Sequence, residues 1–286
     1  MYSKESFIGI IQKHLNSDEA VLPVFNTPVH RIQQEIAKEE PNLDDIEKLI
    51  ARDPALTGQV LRAANSAFYE GLTKVSTVHN ALIRLGTGEL LMLLMQREDH
   101  GFIDSFCGDL MEKLWQHSLG CAIGSYWLAR QCGLDAIAHE AYIAGLLHDV
   151  GKLLLITVVE NITRSGKKKM RPSNQLLHEV MENFHAEHGF LLLKNWNFPE
   201  SYCKVVHEHH YEEVDPNDTL LIMVRLVDKA CNKLGIGLSK DPSIILAATP
   251  EASLLGLSEV FLAELEITIE DTMLSPKKGN PIPKSV

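Results

Sequence analysis

The sequence has few cysteines, no long uninterrupted apolar run and no apolar core in residues 1–20 of the kind found in a signal peptide. The 5 cysteines include no Cys-x-x-Cys pair and are odd in number, which favours a reducing compartment where thiols serve as small buried apolar groups. The longest apolar runs, residues 90–95 and 153–159, fall short of the ~18 residues that a membrane span needs. We therefore expect a cytoplasmic protein without a membrane span.

Basic side chains are also scarce. Lysine and arginine total 27 against 38 aspartate and glutamate residues, so the formal net charge is -11. Nonspecific binding to nucleic acid or to an anionic membrane requires a basic face. Neither is therefore an expected partner. With 286 residues, of which 45% are hydrophobic, the chain is long and apolar enough to bury a sizeable core.

The sequence also lacks strand patterns: no segment alternates apolar and polar residues between turn signals. Helical signals dominate: Asn42 precedes an acidic first turn, Asp53 precedes Pro54, and Gly86 interrupts an apolar helix. Asp241-Pro242 and Leu257-Ser258 are expected to start two short helices. The sequence thus predicts an all-α fold, divided into an N-terminal helical lobe (1–100), a helical core with a His/Asp cluster (101–235), and short helices with a loose tail (236–286).

The most informative stretch is residues 144–156, an apolar run with His148-Asp149 in its middle. An uncompensated charge inside a core costs several kcal/mol, roughly, so this pair needs a metal ion or a hydrogen-bond network. The alternative is an ordinary helix end, with Gly151 as the left-handed terminal residue. The apolar flanks and the histidines that follow favour the first interpretation.

Other ionisable side chains lie on or at the ends of neighbouring predicted helices, and a helical bundle can direct such groups to one point. Imidazole with carboxylate suits zinc, iron, manganese or nickel. Spacing alone leaves the choice among His207, His209 and His210 open. The chain has no nucleophile elbow, Walker A loop or dinucleotide fingerprint. The candidate ligands are His117, His148, Asp149, His185, His209, His210 and Asp228.

Several separate motifs resemble those of a known family. His117, His148-Asp149 and Asp228 are similar to the H…HD…D signature of the HD superfamily of metal-dependent phosphohydrolases. A wider match, from about residue 15 to 234, resembles the HDOD domain (HD-related output domain). It is carried by Asp53-Pro54-Ala55-Leu56-Thr57, Ala63-Ala64-Asn65-Ser66-Ala67, Asn80-Ala81-Leu82-Ile83-Arg84-Leu85-Gly86, Leu114-Trp115-Gln116-His117-Ser118, His185-Ala186-Glu187-His188-Gly189 and residues 196–210.

The resemblance implies an HD-domain-like bundle with an N-terminal lobe. Catalytic relatives that hydrolyse cyclic di-GMP place metal ligands at positions matching the seven candidates, and they carry a lysine matching Lys152. Their Gly-Tyr-Pro motif after the paired histidines is replaced here by Tyr211-Glu212-Glu213, and a carboxylate found in some of them is Lys113 here. The resemblance therefore implies one or two divalent ions but not that particular substrate.

Two functions follow from the resemblance. The first is a bacterial cytoplasmic signalling module that contacts a partner protein and retains an HD-type metal site. The second is a metal-dependent phosphohydrolase acting on a phosphoester or nucleotide through a metal-activated water, with Asp149 and Lys152 as catalytic residues. A scaffold without metal is the third alternative, and the intact ligand set disfavours it.

Overall fold

The computed structural model describes residues 29–38, 40–69, 73–95, 108–164 and 172–274. Every regular element in these ranges is helical, which confirms the all-α prediction. The α-helices are α1 (Val29–Ile36), α2 (Leu43–Ile50), α3 (Pro54–Ala64), α4 (Val78–Met95), α5 (Gly108–Gln131), α6 (Ala138–Leu147), α7 (Val150–Arg164), α8 (Asn174–Asn195), α9 (Glu200–Glu208), α10 (Thr219–Leu234), α11 (Pro250–Leu254) and α12 (Glu259–Leu274).

Side-chain caps set several helix starts where the sequence predicted them. The side chain of Asn42 accepts hydrogen bonds from the first backbone N–H groups of α2, and Asp53 accepts one from Leu56 N at 2.8 Å in α3. Asp218 caps α10 in the same way. The break predicted at Gly86 is present as a kink in α4, because this residue has a φ of 72°.

The C-terminal helices differ from the prediction. Asp241 does not start a helix; its carboxylate accepts a bond from Ser243 N at 3.0 Å and holds a turn instead. The helix expected after Ser258 is not short, since α12 has 16 residues. Its length is explained by a buried apolar stripe that packs against α5. The stripe comprises Leu262, Leu265 and Ile269.

Helices α6 and α7 form the centre of the bundle, and every residue from 141 to 160 is buried. The stretch Asp135–Glu160 is long and apolar enough to cross a membrane by length and composition, although polar residues interrupt it. Its most apolar window is 94% buried within the protein, in the core of the bundle. Helices α5, α8 and α10 pack around this centre.

The N-terminal helices join the same core. Trp115 on α5 donates its indole N–H to Arg52 O at 2.8 Å, and the hydroxyl of Tyr142 on α6 donates to Ala51 O at 3.1 Å. Buried apolar residues from α1 through α12 form one continuous cluster. The expected lobe boundary near residue 100, and the expected tail after residue 274, lie outside the described residues.

Asn65, which ends α3, is 4% exposed and bonds to the backbone of Val75 twice. Its Nδ2 donates to Val75 O at 2.9 Å, and its Oδ1 accepts from Val75 N at 2.8 Å. The side-chain amide therefore provides hydrogen-bond partners for the backbone N–H and C=O groups of Val75, which would otherwise be buried without one.

We predict that Asn65→Ala lowers the free energy of unfolding by about 1–3 kcal/mol, because both backbone groups of Val75 lose their partner. Urea denaturation measures this loss. Ser66→Ala, at the exposed neighbouring position, is the matched control and should change stability little. Equal stability of the Asn65→Ala variant and the parent protein would show that the two bonds contribute nothing.

Candidate metal centre

The turn between α6 and α7 carries His148 and Asp149 into the middle of the bundle. Two glycines allow the neighbouring helices to approach this turn. A Cβ at Gly145 would lie 2.6 Å from Cys121 O on α5, and a Cβ at Gly151 would lie 1.9 Å from His185 O on α8. Any side chain at either position would push apart helices that carry the candidate ligands.

Four buried histidines share one orientation: each Nδ1 faces a backbone carbonyl, so its proton is donated there and Nε2 faces the cluster. This tautomer follows from the hydrogen-bond partner, because a carbonyl only accepts. The pairs are His117 with Ile236 at 2.9 Å, His148 with Gly145 at 2.8 Å, His185 with Met181 at 2.6 Å and His209 with Val206 at 2.9 Å.

Asp149 lies between these histidines and is 3% exposed. Its Oδ2 is 3.6 Å from His117 Nε2 and 3.5 Å from His148 Nε2, while its Oδ1 is 3.3 Å from His185 Nε2 and 3.5 Å from His209 Nε2. Within the described residues, neither Asp149 Oδ1 nor His148 Nε2 has a hydrogen-bond partner. Lone pairs thus face lone pairs, an arrangement that a cation would stabilise.

A lysine supplies part of the missing positive charge. Lys152, one helical turn after Asp149, places its Nζ 2.7 Å from Asp149 Oδ2. Burial raises the pKa of the Asp149 carboxyl, but Lys152 and the histidines outweigh burial and hold that pKa well below its ordinary value. Burial likewise lowers the pKa of Lys152, yet Asp149 keeps it above the ordinary value. Both groups are therefore charged at neutral pH.

The histidines fall into two electrostatic classes. Burial lowers the pKa of His148, His185 and His209 to about 4, so their Nε2 atoms carry no proton at neutral pH. Burial also opposes the charged form of His117, but Asp228, whose Oδ1 lies 3.1 Å from Nε2, raises its pKa to about 9. Three imidazoles are ready to donate a lone pair, and the fourth holds a proton that an ion would replace.

The spacing of the ligand atoms fits a common ion. Two ligands about 2.0–2.2 Å from one tetrahedral ion lie roughly 3.3–3.6 Å apart. His185 Nε2 and His209 Nε2 are 3.3 Å apart, although two unprotonated nitrogens would repel each other without a cation. The distances from Asp149 Oδ1 to these nitrogens are 3.3 and 3.5 Å. Distance, tautomer and charge all agree with a bound divalent cation.

All seven predicted ligands come together, in two groups whose candidate atoms lie within 4.8 Å of one another. Six of the seven are buried, and His210 lies exposed at the rim beside His209. His207, which spacing had left open, instead stacks on Phe190. The groups are His117, Cys121, His148 and Asp228, and Asp149, His185, His209 and His210.

Sequence reasoning missed Cys121, whose Sγ lies 3.7 Å from His117 Nε2. The available signal was its position four residues after His117 on the same helix face. Burial raises the pKa of this thiol well above its ordinary value. It is therefore a neutral thiol unless a cation binds it.

Two proteins of known structure share this helical fold. A virulence factor from Campylobacter jejuni subsp. jejuni is 15% identical, with a TM-score of 0.65 over 95% of this chain and 99% of its own. A fragment of the MmoQ response regulator from Methylococcus capsulatus is 26% identical, with a TM-score of 0.63 over 85% of this chain and 94% of its own.

The chain is also similar to a protein known from its sequence, and it matches a protein-family model. An uncharacterised protein of Treponema pallidum is 26% identical over 193 residues, which are 66% of this chain but only 37% of that protein. The chain therefore spans little more than a third of that relative's length. The model of the HDOD domain matches residues 22–212, about two thirds of the sequence. On this match, the chain belongs to the HDOD domain family.

Proposed function

We propose that this protein is an HDOD signalling module built around a divalent metal centre. The observation that carries the proposal is the buried carboxylate of Asp149, whose Oδ1 lies 3.3 Å from His185 Nε2 and 3.5 Å from His209 Nε2. Among the described residues this oxygen has no hydrogen-bond donor. The imidazole and carboxylate donors suit zinc, iron, manganese or nickel. One or two ions fit, because each oxygen of Asp149 faces a different group of ligands.

The signalling role is supported by the family and by the likeness to a response regulator. Apolar side chains on the surface would serve contact with a partner protein. Phe68, in the segment between α3 and α4, is 87% exposed, and Ile83 on α4 is 65% exposed. The four described cysteines are free and the apolar helix stretch is buried, in keeping with a cytoplasmic location.

The enclosure of the site also favours a module over an enzyme acting on a nucleotide. The ligand groups are closed in by α5 to α10, apart from the exposed His210.

Metal-dependent hydrolysis of a small phosphoester is the second candidate, and Lys152 is the observation in its favour. A bound ion would supply Lewis acidity toward a phosphoryl oxygen. The ammonium group of Lys152 would stabilise negative charge on the phosphoryl group, and it is already held in place by Asp149 at 2.7 Å. The exposed His210 marks the side from which such a substrate would approach.

We predict that Asp149→Ala weakens metal affinity by at least about 10–100-fold, because the loss of even an outer-shell partner has an effect of this size. The variant should therefore hold less metal per chain. Metal is measured by elemental analysis of protein purified without added metal and then after reloading. Asp109→Ala, at an exposed position of α5, is the control and should keep the metal of the parent protein.

Equal metal content in the parent and the Asp149→Ala variant would contradict the proposal, as would no metal in either under metal-replete conditions. Assays with phosphomonoesters and cyclic nucleotides then separate the two candidates. Metal-dependent turnover that disappears in Lys152→Ala would support hydrolysis. Full metal occupancy without turnover would support the signalling module.

Metal removal should leave a protein that loses stability in mild acid. In the folded protein the pKa of His148, His185 and His209 is about 4, below the ordinary histidine value of 6.5. Between these two pH values the unfolded chain therefore binds more protons than the folded protein does. The free energy of unfolding therefore falls as pH drops from about 6.5 to about 4. His117, with a pKa of about 9, contributes the opposite trend at higher pH, and its contribution is lost as pH rises.

Urea denaturation with a chelator, at about pH 7.5 and about pH 5, measures this dependence. His185→Gln should weaken it because one of the three histidines is gone. His178→Gln, an exposed position on the same helix, should leave it unchanged. A pH dependence that is identical in both variants would contradict the assignment.

A further inference from the structure

We infer that Cys121 is a metal ligand and that its thiolate completes a closed sulfur-containing subsite with His117, His148 and Asp228. This inference rests on the proposed metal centre, and it assigns different donor atoms to the two groups of ligands in that centre. The second subsite, around His185 and His209, contains only nitrogen and oxygen donors.

The distances support sulfur coordination. A zinc–sulfur bond of about 2.3 Å and a zinc–nitrogen bond of about 2.0–2.1 Å, at a tetrahedral angle, place the two donors roughly 3.6 Å apart. Cys121 Sγ lies 3.7 Å from His117 Nε2. The candidate atoms of Cys121, His117, His148 and Asp228 all lie within 4.8 Å of one another.

A second observation is independent of the cysteine. His148 is 1% exposed, and its Nδ1 donates to Gly145 O. Its Nε2 faces this group and has no hydrogen-bond partner in the part of the chain that the structure describes. Such a nitrogen is oriented as a ligand would be. The close contact of Gly145 with the backbone of Cys121 brings the two helices together at this point.

The subsites also differ in access. Every member of the Cys121 group is buried, whereas the other group includes the exposed His210. Together with Asp149 Oδ2, which lies 3.5 Å from His148 Nε2, this group offers an ion only buried protein ligands, as structural zinc sites do. A thiolate selects zinc, cobalt or iron over magnesium or calcium. The Cys121 subsite thus holds a fixed ion within the core, and the His185–His209 subsite holds the ion nearer to solvent.

Cobalt(II) added to the metal-free full-length protein tests the inference, because a thiolate bound to cobalt gives a charge-transfer absorption in the near ultraviolet. The parent protein should show this band, and Cys121→Ser should lose it while it still binds cobalt at the other subsite. Cys231→Ser, which changes the buried thiol beside Cys121, is the matched control and should keep the band.

X-ray absorption at the zinc edge of the parent protein gives a second measurement that needs no variant, and it should show a sulfur neighbour at about 2.3 Å. Bound metal with only nitrogen and oxygen neighbours would overturn the role of Cys121 and leave the proposed metal centre intact. A band that persists in Cys121→Ser would overturn it as well. Absence of any bound cobalt or zinc would overturn both proposals.

Discussion

The buried charge of Asp149 is the constraint on which the rest of this structure depends. A carboxylate that is 3% exposed is costly unless positive charge or proton donors surround it. Lys152 supplies one charge at 2.7 Å, but it contacts only Oδ2. On the other side, Oδ1 faces imidazole nitrogens that carry no proton. A divalent ion removes this repulsion because the same oxygen and nitrogen atoms become its ligands.

Much of the bundle serves to hold these groups together. Close helix contacts at Gly145 and Gly151 bring α5 and α8 against the turn that carries Asp149. Backbone carbonyls fix each buried imidazole, so the ligands are oriented before an ion arrives. Residues beyond the family match, which ends at 212, also take part: Asp228 pairs with His117, and Ile236 O accepts its Nδ1 proton. Helix α10 and the segment that follows it therefore belong to the site.

Local patterns predicted what depends on local chemistry. The caps at Asn42 and Asp53 and the break at Gly86 could be read from neighbouring residues, and motif resemblance identified the seven clustered side chains. Contacts distant in sequence could not be predicted in this way. The hydrogen bond from His117 to Ile236 spans 119 residues. Two members of the Cys121 group, His148 and Asp228, are likewise distant from Cys121 in sequence. Asp241 failed as a helix start because its carboxylate bonds within a turn.

Anomalous X-ray diffraction from crystals of the full-length protein, grown without chelator, tests the central claim most directly. Data collected on both sides of the absorption edge of the metal found by elemental analysis locate that metal independently of any assumption about its ligands. The account predicts one or two anomalous peaks in contact with the carboxylate of Asp149, each also in contact with histidine Nε2 atoms. Crystals of metal-replete protein with no peak beside Asp149, or with a peak only at surface residues, would contradict it.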